Sequence, residues 1–392
     1  MSGEPGVRTE PGQRLAAPDV LRGIAIAGTF AVNVWLFADP RGPGAIFSGT
    51  ADGWWLDTVL LSLASGKSLA LLTLLFGIGM ELQYRSAVRR GLRWPGRYLL
   101  RAAILFVEGL LHYLLVFEFD VLMGYAIASM LVAWLVGRSR AVRVAAGAVA
   151  GGVVVLLVGG LTVATSGLSG ADVPLAAYPQ TWTGQVWQRL TEPLLYRIEL
   201  VLIVPSAVVL FLAGSALLRA GVFDPDGARV RARLMALGAA GVVLNTATTL
   251  AGPAWFMVER YLAAPLVAFG VLGLVPAVLL RMRGPAGRTR RGLTALGRAA
   301  MSCYVGQNLV AAVLFHAWGL GLAGTLATVG PPARTALVVA IWALVMTGSA
   351  LVASGWLRRY DRGPLETLTQ LLLARPALSG RSPASRRGAR RP

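Results

Sequence analysis

Ten apolar runs divide the chain, each close to the roughly 20 residues that a helix needs to cross a bilayer. They cover roughly residues 20–38, 57–82, 98–118, 120–137, 142–163, 194–218, 232–251, 258–281, 293–316 and 334–357. Several links between them are so short that neighbouring helices must form antiparallel hairpins. The pattern predicts an all-α integral membrane protein, a bundle of about ten transmembrane helices. A polar stretch over 1–17 precedes a first span read as retained, the helical domain occupies 18–372, and a basic tail over 373–392 is expected to be disordered. The second and ninth runs are the least uniform, because Lys67 interrupts one and Gln307 and Asn308 the other.

Charge placement orients the bundle. Arginines cluster at 85–101, 138–143, 219–233, 281–298 and 358–362, whereas the alternate loops carry only Arg41 and Arg189. This is the positive-inside pattern for ten spans with both termini in the cytoplasm, and it predicts a multi-pass protein of the plasma membrane. The net charge of +19 therefore reads as a lipid-facing basic surface that meets anionic head groups, not as a nucleic-acid footprint. Trp54, Trp55, Trp182, Trp187, Trp255 and Trp318 fall near the opposite boundaries, as an aromatic belt requires. Cys303 alone permits neither an internal disulfide nor a thiolate metal cluster, and no metal site is expected.

Polar groups inside the runs are few and therefore informative, since ionisable groups at bilayer depth usually face a polar cavity. The chain has two histidines, and Lys67 is its one lysine. Lys67 needs an anionic partner or water, and Asp57 and Glu81 are the in-run candidates. His112 follows Glu108 by one helical turn, so the two share a face. A carboxylate there fixes the imidazole tautomer and stabilises its charged form, making His112 a candidate base. Asp120 opens the next helix and Tyr125 follows, so both join the same candidate cavity. In the first run Asp19 and Arg22 pair at a spacing of three, and Asn33 lies on the stripe of Arg22, about 16 Å deeper. His316 reads as an interfacial residue, and Glu259 and Arg260 as wet groups paired along their own helix.

Five blocks, in order, resemble the YeiB-like bacterial membrane proteins, a family of unknown function. They are Arg14–Pro40 with Leu15-x-x-x-Asp19-Val-Leu-Arg22-Gly and Asn33; Gly66-Lys67-Ser68 with Leu74-Leu-Phe-Gly-Ile-Gly79; Gly109-Leu-Leu-His112 with Asp120-Val-Leu and Tyr125-Ala126; Gly297-Arg298-Ala-Ala-Met-Ser-Cys-Tyr304 with Gln307; and Arg362-Gly-Pro-Leu-Glu366. Thr367 departs from the family's usual Trp. The resemblance extends to the transmembrane acyltransferases, beside the heparan glucosaminide acetyltransferases and the cell-surface O-acyltransferases. It implies acyl-CoA as cytoplasmic donor and a hydroxyl or amine acceptor on the far side. The O-acyltransferases carry His where this chain has Asn33, and Asn cannot act as a base. His112 then takes that role, with Glu108 and Asp120 beside it, and Arg22, Asn33, Lys67 and Tyr125 serve donor binding or the developing oxyanion.

A transporter using the same polar interior is the competing expectation. Its support would be paired interrupted helices in two repeated halves, and no repeat is visible between the halves. The topology is open to direct measurement. A cysteine placed at position 93, in the basic loop after the second run, should stay unlabelled by an impermeant thiol reagent in intact cells, whereas one in the 164–193 loop should label.

Overall fold

The computed structural model describes residues 16–42, 54–165, 178–282 and 284–374. The expected polar N-terminus and basic tail lie almost entirely outside these residues. The helices are α1 (Ala16–Ala38), α2 (Trp55–Ala64), α3 (Lys67–Arg89), α4 (Arg97–Leu115), α5 (Leu122–Val136), α6 (Arg140–Thr165), α7 (Trp182–Thr191), α8 (Pro193–Arg197) and α9 (Leu200–Arg219). They continue with α10 (Ala228–Ala251), the single turn α11 (Phe256–Val258), α12 (Ala264–Arg281), α13 (Arg288–Arg298), α14 (Ala300–Phe315), α15 (Leu322–Ala327), α16 (Pro331–Trp356) and α17 (Pro364–Ala374). No strand occurs among the described residues.

Eight helical stretches are long and apolar enough to cross a membrane, and α5 and α14 are apolar but shorter. Each of the ten apolar runs thus finds a helix. An all-helical bundle is the expected outcome, because hydrocarbon leaves backbone N–H and C=O groups no partner except one another. Within the bundle α1 is central, with 56% of its apolar window buried, while α6 is peripheral at 11%. α1 packs on α3, α13, α14 and α16; α3 packs on α9, α12 and α5; α4 and α5 form a hairpin. Glycines set the closest approaches. A Cβ on Gly77 would lie 2.2 Å from the Phe211 carbonyl oxygen, and one on Gly214 2.2 Å from that of Leu74, so α3 and α9 touch backbone to backbone.

Two runs are not continuous helices. The second breaks at Ser65–Gly66, where Gly66 has φ +72°. That left-handed conformation is open to glycine at little cost, and a side chain there would also strike the Arg260 carbonyl oxygen at 2.7 Å. The partner surface is irregular too, because Glu259–Ala263 forms a π-helical segment ahead of α12. The ninth run splits into the Arg-rich helix α13 and the apolar α14, parted at Ala299. Gly297 causes part of this, since its Cβ position is 1.8 Å from the Asp19 carbonyl oxygen and pins the end of α13 on α1.

The break before α14 exposes its first N–H groups, and Glu366 of α17 meets them. Its Oε1 accepts from the backbone N–H of Met301 at 2.7 Å and of Ser302 at 3.4 Å, and its Oε2 accepts from Ser302 Oγ at 2.6 Å. A carboxylate at a helix N-terminus satisfies orphan donors and complements the dipole. Thr367, by contrast, bonds only its own helix, at Gly363 O, 2.9 Å. Replacing Glu366 by Ala should lower the unfolding temperature in detergent by the equivalent of about 0.5–2 kcal/mol, the usual worth of a lost cap. Glu366→Gln should keep most of it.

Candidate functional site

His112 lies in the last turn of α4, and Asp120 sits in the turn that leads into α5. The two are joined through His112 Nδ1 and Asp120 Oδ1 at 2.9 Å, with exposures of 3% and 1%. Asp120 uses its other oxygen to accept the N–H groups of Leu122 at 2.8 Å and Met123 at 3.3 Å, so it also caps α5. Gly109 makes room for this: a Cβ there would be 3.0 Å from Asp120 Oδ2 and 2.7 Å from the Met123 nitrogen. On the other ring edge, Asn308 Nδ2 lies 3.3 Å from His112 Nε2, and Asn33 Nδ2 donates to Asn308 Oδ1 at 3.1 Å.

These contacts form one directed chain, from Asn33 through Asn308 and His112 to Asp120. An acceptor-only carboxylate at Nδ1 places the ring proton there and leaves the Nε2 lone pair facing the amide. Tyr304 packs its ring 5.1 Å from the imidazole. Gln307, beside Asn308 in sequence, is buried with both amide atoms unpartnered.

The carboxylate that orients His112 is thus Asp120 and not Glu108. Glu108 sits one turn earlier, but accepts from Thr369 Oγ1 of α17 at 2.8 Å. The shared helical face is real; the docking of α17 decides which partner Glu108 meets. Arg22 pairs with Asp19 at 3.0 Å as expected, far along α1 from Asn33. Tyr125 donates to Leu69 O at 3.2 Å and accepts from Thr73 Oγ1 at 2.7 Å. It lines a cavity of about 50 Å³ with Thr73, Ser206, Arg260 and Tyr261, and His112 is not in its wall.

Lys67 is paired with neither Asp57 nor Glu81. Its partner is Glu259, with Nζ 3.6 Å from Oε1, because the π-helical segment faces the α2–α3 break. Asp57 accepts instead from Thr335 Oγ1, and Glu81 is taken by Arg85, Arg219 and Ser215, each at 2.8 Å. Glu259 is accordingly buried rather than wet, and Arg260 bonds Glu199, in the turn ahead of α9, at 3.0 Å.

At the Arg-poor end the turn carrying Asp120 is clamped by groups that local sequence did not reveal as site residues. Arg197 donates to the backbone oxygens of Glu118 and of Asp120, the latter at 2.8 Å, and stacks 4.0 Å over the Tyr113 ring. Arg189 of α7, 1% exposed, meets Glu118 Oε1 at 2.7 Å and Leu114 O at 2.9 Å, and Tyr178 also donates to Glu118. Burial alone would push the Glu118 carboxyl up, but the Arg189 charge and these hydrogen bonds outweigh it and hold it below the usual range. This pairing fastens α7 across the end of the bundle.

Beneath α7 is a vestibule of about 90 Å³ lined by Asp39, Gln180, Gln185, Phe315 and His316. His316, at the end of α14, is buried within the protein with Nε2 unpartnered, and burial pulls its pKa down to about 4. Phe37 and Phe117, with ring centroids 4.9 Å apart, stand between His316 and His112.

No group of three or more metal-ligating side chains is present among the described residues. Asn308, Tyr304 and Arg197 are candidate-site positions that the linear pattern did not assign to the site. Two amides inside an otherwise apolar run were the available signal for Asn308.

Residues 217–375 match the family described as "Protein of unknown function (DUF418)". The chain is 25% identical over 402 residues to the uncharacterized protein YxaH of Bacillus subtilis (strain 168), covering 91% of this chain and 93% of that one. It is likewise 25% identical over 418 residues to the uncharacterized protein YeiB of Escherichia coli (strain K12), covering 95% of this chain and 100% of the relative. No solved structure matches the chain. Together these matches make this multi-pass membrane protein similar to the YeiB-like DUF418 proteins, through a family match over its C-terminal part and two relatives matched along most of their length.

Proposed function

We propose that the chain is a transmembrane acyltransferase of the bacterial plasma membrane. It moves an acyl group, acetyl in the simplest case, from cytoplasmic acyl-CoA to a hydroxyl or amine acceptor at or beyond the outer leaflet. The observation that carries this reading is the buried Asp120–His112 pair, with Nε2 directed at the Asn308 amide. A neutral imidazole held by a carboxylate is the arrangement that general-base catalysis uses.

In the proposed reaction His112 Nε2 takes the proton of the acceptor hydroxyl or amine as that atom attacks the thioester carbonyl. The tetrahedral oxyanion accepts hydrogen bonds from amide N–H groups, for which Asn33, Asn308 and the unpartnered Gln307 are the candidates. Collapse breaks the C–S bond, the sulfur leaves with its electron pair, and the imidazolium returns the proton to it. Asp120 stabilises the imidazolium through Nδ1. Arg22, part-exposed beside Gly79 of α3, is the candidate contact for a donor phosphate at the Arg-rich end. Glu108 supports α17 in this scheme, and Lys67 and Tyr125 stand outside the proton path.

One observation favours the runner-up, a transporter of small molecules. The broken α2–α3 helix faces the π-helical segment of Glu259, and interrupted helices of this kind build transport sites. His112 lines neither of the two cavities described above, whereas Gly66 and Arg260 line the first, so the two readings rest on different residues.

Three expected outcomes test the proposal. His112→Ala should lower acyl transfer on the order of 10²–10⁴-fold, the worth of a lost general base, with acyl-CoA binding intact. Asp120→Asn should also lose turnover while keeping the fold, because its one acceptor oxygen can retain the cap of α5 while its NH2 group faces His112 Nδ1, reverses the tautomer and carries no compensating charge. Arg22→Ala should instead weaken donor binding and leave turnover at saturation nearly unchanged. The measurement follows radiolabelled acetyl from acetyl-CoA into membrane or extracellular material, with and without the gene. Unchanged transfer together with a lost solute efflux would reject the enzyme reading in favour of the transporter.

A further inference from the structure

The ammonium of Lys67 lies in a nest of oxygens. α2 ends at Ala64, where Leu61 O still accepts from Ser65 N–H and Ser65 O accepts from Lys67 N–H at 2.8 Å, and carbonyl lone pairs at this end stay open to further donors. Lys67 Nζ donates to two carbonyl oxygens there, Ser62 O and Ser65 O, the latter at 3.2 Å. Glu259 Oε1 is 3.6 Å away. Around them Thr249 Oγ1 donates to Glu259 Oε2 at 3.1 Å and lies 2.7 Å from Ser62 Oγ, which also accepts from Asn245 Nδ2 at 3.0 Å. Lys67 and Glu259 side chains are only 11% and 9% exposed.

The set contains more acceptor capacity than one ammonium uses. Glu259 Oε1 and Asn245 Oδ1 are both buried without a hydrogen-bond partner, on residues 7% and 6% exposed. Freed carbonyls at a half-helix C-terminus, a carboxylate and neutral oxygens are the donor set that holds monovalent cations in broken membrane helices, where the negative end of the dipole adds to the attraction. The position is fixed by backbone: Gly66 brings the break against Arg260 O, and its Cβ position is 2.8 Å from Ala264 Cβ.

We propose that the α2–α3 break and the Glu259 segment form a monovalent-cation site whose resident is the tethered ammonium of Lys67. The lysine supplies in the chain the charge that a sodium or potassium ion would otherwise bring. This assignment is independent of the chemistry at His112.

The test uses the full-length protein purified in detergent, with thermal unfolding followed in NaCl, KCl or choline chloride at equal ionic strength. The wild-type chain should unfold at the same temperature in all three. Lys67→Ala should unfold at a lower temperature in choline and recover saturably with NaCl or KCl, as binding to the folded state alone requires. The double variant Lys67→Ala, Glu259→Gln should lose that response. Recovery with choline equal to that with sodium overturns the proposal, as does a sodium response that survives in the double variant. So does stability that follows pH and not the cation, which would mean Glu259 takes up a proton instead. Lys67→Ser, which adds an oxygen at the site, is the second variant. If neither single variant is recovered folded in NaCl or KCl, a cation does not replace the ammonium and the proposal falls.

Discussion

A charge taken into an apolar bundle must meet its counter-charge inside the protein, and this constraint organises the described structure. Moving an ion out of water costs several kcal/mol even after relaxation, and an unpaired partner left behind costs about 3–5 kcal/mol. Three buried carboxylates are accordingly met by a basic side chain from another element, Asp120 and Asp57 are met by hydrogen-bonding groups, and Asp19 pairs within α1. Glu81 of α3 takes Arg219 of α9; Glu118 takes Arg189 of α7; Glu259 takes Lys67; Asp120 takes His112. These pairs do little to hold one helix together. They fix which helices are neighbours and at what height, which apolar side chains facing lipid on one side and protein on the other do not specify.

The same constraint explains where the bundle is irregular. Backbone that leaves the helix at membrane depth exposes carbonyls or N–H groups, and each break is met by a side chain of opposite character. Lys67 supplies donors to the end of α2, Glu366 supplies an acceptor to the start of α14, and Asp120 supplies one to the start of α5. Asp120 therefore has two tasks, as cap and as partner of His112, and the cap makes its position rigid. Arg197 holds the backbone of the same turn. In the proposed role of His112 as base, an orienting carboxylate locked by backbone hydrogen bonds and a part-buried guanidinium keeps reorganisation small when the ring changes charge.

The Glu108–His112 reading shows where local reasoning stops. Helical spacing correctly puts the two on one face of α4, and both are part of polar contacts. Spacing carries no information about what lies opposite each turn. The lower turn faces α17 and the upper turn faces the α4–α5 loop, so Thr369 takes one residue and Asp120 the other. Lys67 followed the same course, since the need for an anion was legible but Glu259 lies almost 200 residues away in the chain. His316 looked open to solvent by its position at the end of its run, and it is buried because the rings of Phe37, Tyr178 and Trp318 pack against it.

The sequence by itself determined the helical class, the positions of the ten apolar runs and the short list of polar residues within them. Those properties follow from the length of an apolar segment and the cost of a charge inside it, both of which are read along the chain. Tertiary structure decided the pairings: Asn33 with Asn308, His112 with Asp120, Lys67 with Glu259, and the closing of the bundle end by Arg189 on Glu118. Partner choice depends on which helix faces meet, and in an apolar bundle those faces differ by only a few side chains. That information exists only once the helices are packed.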